Sequence, residues 1–254
     1  MDVTREFRDA TSRICFARVA KKNAITAAMY EALAGAVLDA EQNPEVRAIL
    51  IEGHAEVFTA GNDLEDFLKN PPSGEASPVF RFLTALSTAT KPVVASVSGP
   101  AIGIGTTLLL HCDLIYAAEE ARFQLPFTQL GLAPEAASSL LLPLLAGYPR
   151  AAEKLFLGEP FGAAEALGMG LITAVVPKAE LAGHVDKQLA KLVALPRGSL
   201  QATKRLMKGS MAAAVSAQIR VEADEFIRRL ASPAAREAFT AFFERRRPDF
   251  SGLD

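Results

Sequence analysis

Two glycine-containing turns could form a binding site for negative charge. The first turn covers residues 60–63 and the second covers residues 103–105. Each lies between a predicted strand and a predicted helix, so each would present backbone N–H groups at a helix start. If both turns face one oxygen atom, they form an oxyanion hole, in which each donor contributes roughly 3–4 kcal/mol of transition-state stabilisation.

Glu135 is the candidate acid or base for such a site. It follows Pro134, and its neighbours from Leu130 to Leu141 are almost all apolar. Because burial disfavours a charged carboxylate, its pKa would rise toward the neutral range, where a general base works best. The alternative is structural, since proline and glutamate are common in the first turn of a helix. Likewise, Asn62 and Asp63 could simply cap a helix.

Common phosphate-binding and nucleophile motifs are missing from the sequence. A dinucleotide fingerprint needs a third glycine where Leu108 stands. The sequence has neither the Gly-Lys of a P-loop nor the Gly-x-Ser-x-Gly of a hydrolase elbow. The three histidines are scattered and there is no Cys-x-x-Cys, so we expect no metal site. We expect Cys15 and Cys112 to be reduced core residues.

Composition and charge are those of an ordinary globular protein. Of 254 residues, 50% are hydrophobic and 22% are charged, and the formal net charge is −2. This charge argues against binding nucleic acid through phosphate neutralisation. The sequence shows no apolar run long enough to span a membrane. Because residues 1–6 include no apolar run, we expect no signal peptide. We therefore expect a cytoplasmic protein with no nucleic-acid or membrane partner.

Strands and helices alternate to about residue 180, and helices alone follow, which predicts an α/β fold with a helical C-terminal part. Apolar, β-branched segments predict strands at 13–19, 47–52, 57–60, 91–96, 114–118 and 171–176. Helices are predicted at 25–43, 79–89, 108–110, 136–145, 150–157 and 163–169. Pro196 and Pro233 interrupt the C-terminal helical pattern. The alternation is also compatible with a doubly wound sheet.

Several segments, taken in order, resemble the crotonase superfamily of enoyl-CoA hydratases and isomerases. They are NAI at 23–25, FTAGNDL at 58–64, CDLIYA at 112–117, LGLAPE at 130–135 and FERRRPDF at 243–250. The resemblance covers nearly the whole chain. It implies a spiral of β-β-α units over residues 1–195. It also implies a helical region over residues 196–254 that packs the chains into homotrimers, often paired into hexamers.

The same resemblance implies an acyl-CoA thioester as substrate, with coenzyme A as part of the substrate and no separate cofactor. The thioester oxygen would bind the backbone N–H groups of Asn62 and Ile104, where the family more often has glycine at the second position. The residues implied to line the substrate path surround the two turns and the Glu135 segment: Asn23, Ala24, Ala60, Gly61, Asp63, Leu64, Phe67, Gly103, Phe127 and Leu132.

Two positions depart from the hydratase pattern. Hydratases of this family use two glutamates to hold and activate water, and the matching positions here are Thr107 and Phe127. Neither side chain can act as a general base. The segment around Glu135 resembles peroxisomal-type 3-enoyl-CoA to 2-enoyl-CoA isomerases, which implies that Glu135 moves a proton between two carbons of the substrate. A hydratase, another dienolate-forming acyl-CoA reaction and a non-catalytic acyl-CoA binder are the alternatives.

Overall fold

Two β-sheets form the frame of this protein, and its computed structural model describes residues 2–54 and 56–253. The strands are β1 (Val3–Arg8), β2 (Thr11–Phe16), β3 (Ala48–Gly53), β4 (Val93–Val97), β5 (Ala101–Ile102), β6 (Leu114–Ala118), β7 (Arg122–Gln124), β8 (Phe161–Gly162) and β9 (Ala174–Val176). The larger sheet has the order β1-β2-β3-β4-β6-β9, and only its β1–β2 pair is antiparallel. The smaller sheet joins β5, β7 and β8. Three residues of the predicted ranges 1–195 and 196–254 lie outside the described residues: Met1, Ala55 and Asp254.

Helices follow most strands and complete the chain. They are α1 (Ala27–Gln42), α2 (Leu64–Lys69), α3 (Pro78–Ser87), α4 (Ile104–Thr107), α5 (Ser138–Ala146), α6 (Tyr148–Leu157), α7 (Ala163–Gly168), α8 (Leu181–Ala194), α9 (Arg197–Gly209), α10 (Ala212–Leu230) and α11 (Pro233–Glu244). In the described part of the chain no strand follows β9. The predicted α/β fold with a helical C-terminal region is therefore confirmed.

The central strands are largely apolar because both faces of the sheet are covered. Ile49 and Ile51 of β3 pack into the main core, while Leu50 packs on the opposite face with Val185 of α8. Alternate side chains thus enter two separate hydrophobic clusters. This explains why a continuous apolar run, and not a polar–apolar alternation, marks these strands in the sequence.

Several predicted boundaries are wrong. Strand β1 is missing from the prediction, and β2 covers Thr11–Phe16 where 13–19 is predicted. Residues 57–60 do not form a strand, since Thr59 makes only an isolated bridge to Ala101. The predicted strand at 171–176 is shorter, and the predicted helix at 108–110 is a 3₁₀ turn that continues α4. The chain breaks its helices at Pro196 and Pro233 as predicted.

The C-terminal helices contribute to the main core. Phe226 of α10 and Phe239 of α11 are buried in the same cluster as the sheet residues. Cys15 and Cys112 are free thiols, the first half-buried and the second buried. Within residues 2–54 and 56–253, no helix is both long and apolar enough to cross a membrane. A domain division at residue 195 and a trimerisation role for residues 196–254 stay predictions.

Candidate active site

The two glycine turns contact each other. The Ile102 N–H donates to the Thr59 carbonyl at 3.0 Å, beside the bridge between Thr59 and Ala101. A Cβ atom at Gly61, where φ is +85°, would lie 2.8 Å from the Ile102 carbonyl oxygen. A Cβ atom at Gly105 would lie 2.6 Å from the Thr59 methyl group. Both distances are too short for a larger residue, so glycine is what allows the two turns to approach this closely.

The N–H groups of Asn62 in the first turn and Ile104 in the second have no partner among the described residues. The Ile25 N–H donates to Gly61 at 2.8 Å and Ile25 accepts from the Asp63 N–H at 2.9 Å, so the Asn62 N–H points away from Ile25. Ile104 is buried and is the first residue of α4, where an N–H group has no acceptor within the helix. Within the described chain, neither N–H donates a hydrogen bond.

Glu135 lies in a left-handed turn before α5, and not at the predicted helix start. Its successors Ala136 and Ala137 have φ values of +60° and +56°, and α5 begins only at Ser138. For residues other than glycine this conformation costs roughly 1–2 kcal/mol per residue. The His111 Nε2 atom donates to the Ala136 carbonyl at 2.8 Å, which helps to hold the turn. Helix capping is therefore not the role of Glu135.

The environment of His111 determines its protonation. Its ring is buried, and burial lowers its pKa to about 4. The imidazole is therefore neutral at pH 7, and the proton must reside on Nε2 because the Ala136 carbonyl can only accept a hydrogen bond.

Burial raises the pKa of Glu135 to about 8 from an ordinary value of 4.5. The hydrogen bond from the Thr107 hydroxyl to Glu135 Oε1 opposes that shift, and the negative charge of Glu222 adds to it. Glu135 Oε2 is buried and has no hydrogen-bond partner among the described residues. The carboxyl group thus has one oxygen held in place and one oxygen available to a proton.

Tyr30 connects this region to a cavity of about 570 Å³. The cavity is lined by Ala27, Tyr30, Phe67 and residues 70–79, among others. The Tyr30 hydroxyl donates to Asn62 Oδ1 at 2.5 Å. The tyrosine is fully buried, and burial followed by the charge of Glu135 raises its pKa well above the ordinary value. Tyr30 therefore joins the Asn62 turn to the cavity and lies near the Glu135 carboxyl group.

Several of the residues predicted to line the substrate path hold the first turn in place. The buried Asn23 side chain donates to the Val57 carbonyl at 2.9 Å. Asp63 caps α2 and forms a 2.6 Å ion pair with Arg18, which also donates to the Ala24 carbonyl at 2.9 Å. These side chains are engaged by the fold, and substrate contact at these positions stays a prediction.

The other predicted residues divide between the turns and the core. Ala60 donates its N–H to Lys22 at 3.0 Å, and Gly103 has φ +56° and precedes α4. Leu64, at the start of α2, is half-buried against the main core. Phe127 and Leu132 are buried in that core, where the Leu132 N–H donates to the Phe127 carbonyl at 2.8 Å.

Sequence reasoning missed Tyr30, His111 and Glu222. Glu222 had a visible signal, because it shares the apolar face of α10 with Ile219 and Phe226 at helical spacing. An acidic residue on such a face indicates a buried partner. Neither Tyr30 nor His111 carries a comparable pattern.

Comparisons with known proteins show the family of this chain. The model of the Enoyl-CoA hydratase/isomerase family matches residues 6–253. This chain belongs to that family. Within the enoyl-CoA hydratase/isomerase family, "Enoyl-CoA delta isomerase 2" of Homo sapiens is 33% identical over 207 residues, which cover 79% of this chain and 52% of the relative. The chain thus spans about half the length of that relative.

Other members of the enoyl-CoA hydratase/isomerase family match over almost their full length. A "Probable enoyl-CoA hydratase" of Rhodobacter capsulatus is 33% identical over 253 residues, or 97% of this chain and 96% of the relative. A crystal structure of an enoyl-CoA hydratase/isomerase from Pseudoalteromonas atlantica T6c has a TM-score of 0.94 at 39% identity, covering 99% of this chain and 100% of that chain. The predicted family and crotonase fold are therefore confirmed. The names of the relatives include isomerases and hydratases, so they do not decide between these two reactions.

Proposed function

We propose that this protein is an enoyl-CoA isomerase that moves the double bond of a 3-enoyl-CoA to the 2-position. The thioester oxygen binds the unpartnered N–H groups of Asn62 and Ile104. The acyl chain extends toward the cavity beside Tyr30, whose volume lies within the usual range for a small-molecule site. Coenzyme A enters as part of the substrate.

Glu135 carries the proton in this mechanism. As a carboxylate it removes a proton from C2, and the electrons move onto the thioester oxygen to give a dienolate. The two N–H groups stabilise that oxygen. The protonated Glu135 then donates to C4, the carbonyl re-forms and the new double bond lies between C2 and C3. One carboxyl group suffices because it accepts and returns the same proton in a pocket without bulk water.

The observation that carries this proposal is the state of the Glu135 carboxyl group. It is 5% exposed, Oε1 accepts from Thr107, and Oε2 has no partner among the described residues. A hydration mechanism needs a second group that activates water, at the position of Thr107 or Phe127. The Thr107 hydroxyl instead donates its hydrogen bond to Glu135. The arrangement therefore favours proton transfer within the substrate over addition of water.

The test is product identification with a series of 3-enoyl-CoA thioesters of increasing chain length in oxygen-18 water. We expect 2-enoyl-CoA without label from the wild-type protein. A parallel incubation supplies 2-enoyl-CoA in the same water, and release of labelled 3-hydroxyacyl-CoA as its main product would instead identify a hydratase. Binding of both kinds of thioester without conversion of either would identify a non-catalytic acyl-CoA binder.

The matched variant is Glu135→Gln, which keeps the size of the side chain and removes the base. General-base catalysis typically contributes about 10²- to 10⁴-fold, so kcat should fall by that factor. Acyl-CoA affinity, measured by calorimetry, should remain largely intact because the N–H groups are unchanged. Glu225→Gln is the control, since Glu225 is paired with Arg228 and Arg229 on the outside of α10.

A further inference from the structure

Glu222 is a second buried carboxyl group behind the Glu135 turn. It belongs to α10 and is 5% exposed. Its Oε1 atom accepts from the Ser139 N–H at 2.9 Å and from the Ser139 hydroxyl at 2.5 Å. Gln218, one turn earlier in α10, donates to the same hydroxyl at 2.9 Å. Glu222 Oε2 is buried and has no partner among the described residues.

No described cation neutralises Glu222. The ion pairs of α10 lie on its outer side, where Arg228 and Arg229 hold Glu225 and Arg220 approaches Glu75. Burial raises the pKa of Glu222, and the hydrogen bonds from Ser139 lower it. A buried carboxylate without a cationic partner is costly, which indicates a role beyond packing.

Glu222 binds the chain directly after the left-handed turn that follows Glu135. Ser139 follows the left-handed residues Ala136 and Ala137, and its N–H is one of the N-terminal donors of α5 that the helix itself cannot satisfy. The Glu222 carboxylate satisfies that donor and thereby fixes the first turn of α5. His111 also binds this turn, through the Ala136 carbonyl. Hydrogen bonds from two distant parts of the chain thus hold the turn in place.

Glu222 also acts on Glu135 through its charge. The groups that face Glu135 are Thr107 of α4, Tyr30 of α1 and Glu222 of α10. Of these, Glu222 is the other carboxyl group, and its negative charge raises the pKa of Glu135. Two buried carboxylates disfavour each other's ionised form, so their titrations are coupled.

We propose that Glu222 is a positioning residue for Glu135. Through Ser139 it holds the left-handed turn that aims the Glu135 carboxyl group, and through its charge it disfavours ionisation of that group. The proposal deepens the proposed function, since it describes how the fold prepares the base. It places part of the catalytic apparatus on a C-terminal helix, 83 residues beyond Ser139.

The decisive variant is Glu222→Gln. The glutamine amide oxygen can still accept from Ser139, so the turn keeps its hydrogen bonds while the charge is lost. We expect the midpoint of Glu135 protonation to fall by about one pH unit. The midpoint is read from the infrared band of the protonated carboxyl group that disappears in Glu135→Gln. The pH profile of kcat/KM should shift by the same amount. Glu225→Gln should change neither.

An unchanged or raised midpoint in folded Glu222→Gln would overturn the proposal. If that variant does not fold, Glu222→Met decides, because methionine has a similar length and also removes the charge. The midpoint of Glu135 protonation should again fall, and an unchanged or raised midpoint would again overturn the proposal. The infrared titration needs no substrate. A shifted midpoint in a protein that fails to isomerise 3-enoyl-CoA would therefore support the role of Glu222 while refuting the proposed reaction.

Discussion

The raised pKa of Glu135 makes the reaction strongly dependent on pH. The base acts only as a carboxylate, and its pKa is about 8. At pH 6 about 1% of the protein would then hold the active form, and at pH 8 about half, so kcat/KM should rise roughly 50-fold between these values. A glutamate with the ordinary pKa of 4.5 would already be almost fully ionised at pH 6. The two cases therefore differ by more than one order of magnitude.

The assay is kcat/KM for a 3-enoyl-CoA between pH 5.5 and 9.5, followed through the absorbance of the conjugated product. Thr107→Val is the matched variant, because valine keeps the shape of threonine and removes the hydroxyl that stabilises the Glu135 carboxylate. Its profile should rise at a higher pH than that of the wild type. A profile that is flat from pH 6 to pH 8 would refute the assignment of a buried, protonatable base.

Three further substitutions test other parts of the site. Gly105→Ala should lower kcat about 10- to 100-fold, because the new methyl group lies 2.6 Å from the Thr59 methyl group and displaces the turn that carries the Ile104 N–H. Adding Thr59→Ser, which removes that methyl group, should restore much of the activity. Tyr30→Phe should lower kcat/KM roughly 3- to 10-fold, because the hydrogen bond to Asn62 is lost. The melting temperature of the variant, measured as the folding control, should stay unchanged. His111 stays neutral in the folded protein down to about pH 4. The free energy of unfolding of the wild type, measured by urea titration, should therefore fall by roughly 3 kcal/mol between pH 6.5 and pH 4. This decrease should be absent in His111→Gln. Equal acid sensitivity of both proteins would contradict that role.

The two glycine turns are predictable from sequence because their signals are local. Each follows an apolar segment and precedes a helix start, and Asp63 is a typical capping residue that does cap α2. The breaks at Pro196 and Pro233 are predictable for the same reason, since proline restricts its own backbone and that of its predecessor.

The backbone around Glu135 is not predictable from local sequence. Pro134 and Glu135 match the usual first turn of a helix, whereas Ala136 and Ala137 adopt left-handed conformations that their own propensities disfavour. The contacts that hold them come from far along the chain: His111 is 25 residues before Ala136, and Glu222 is 83 residues after Ser139. Tertiary contacts thus override the local preference.

Strand β1 escapes prediction for a different reason. All its residues after Val3 are exposed, so no apolar run marks it. The turn to β2 uses Asp9 and Ala10 with φ values of +50° and +56°, without the glycine that usually marks a two-residue hairpin turn. The homotrimeric or hexameric assembly and the cytoplasmic location also stay predictions.

The central claim is that Glu135 alone moves a proton from C2 to C4 of the substrate. The most direct measurement uses a 3-enoyl-CoA deuterated at C2 in a single turnover in ordinary water, with mass spectrometry of the 2-enoyl-CoA product. A shuttle through the buried Oε2 atom predicts deuterium at C4 in the wild-type product, and almost no turnover by Glu135→Gln. Rapid conversion by Glu135→Gln, or a C4 hydrogen taken entirely from water, would contradict it.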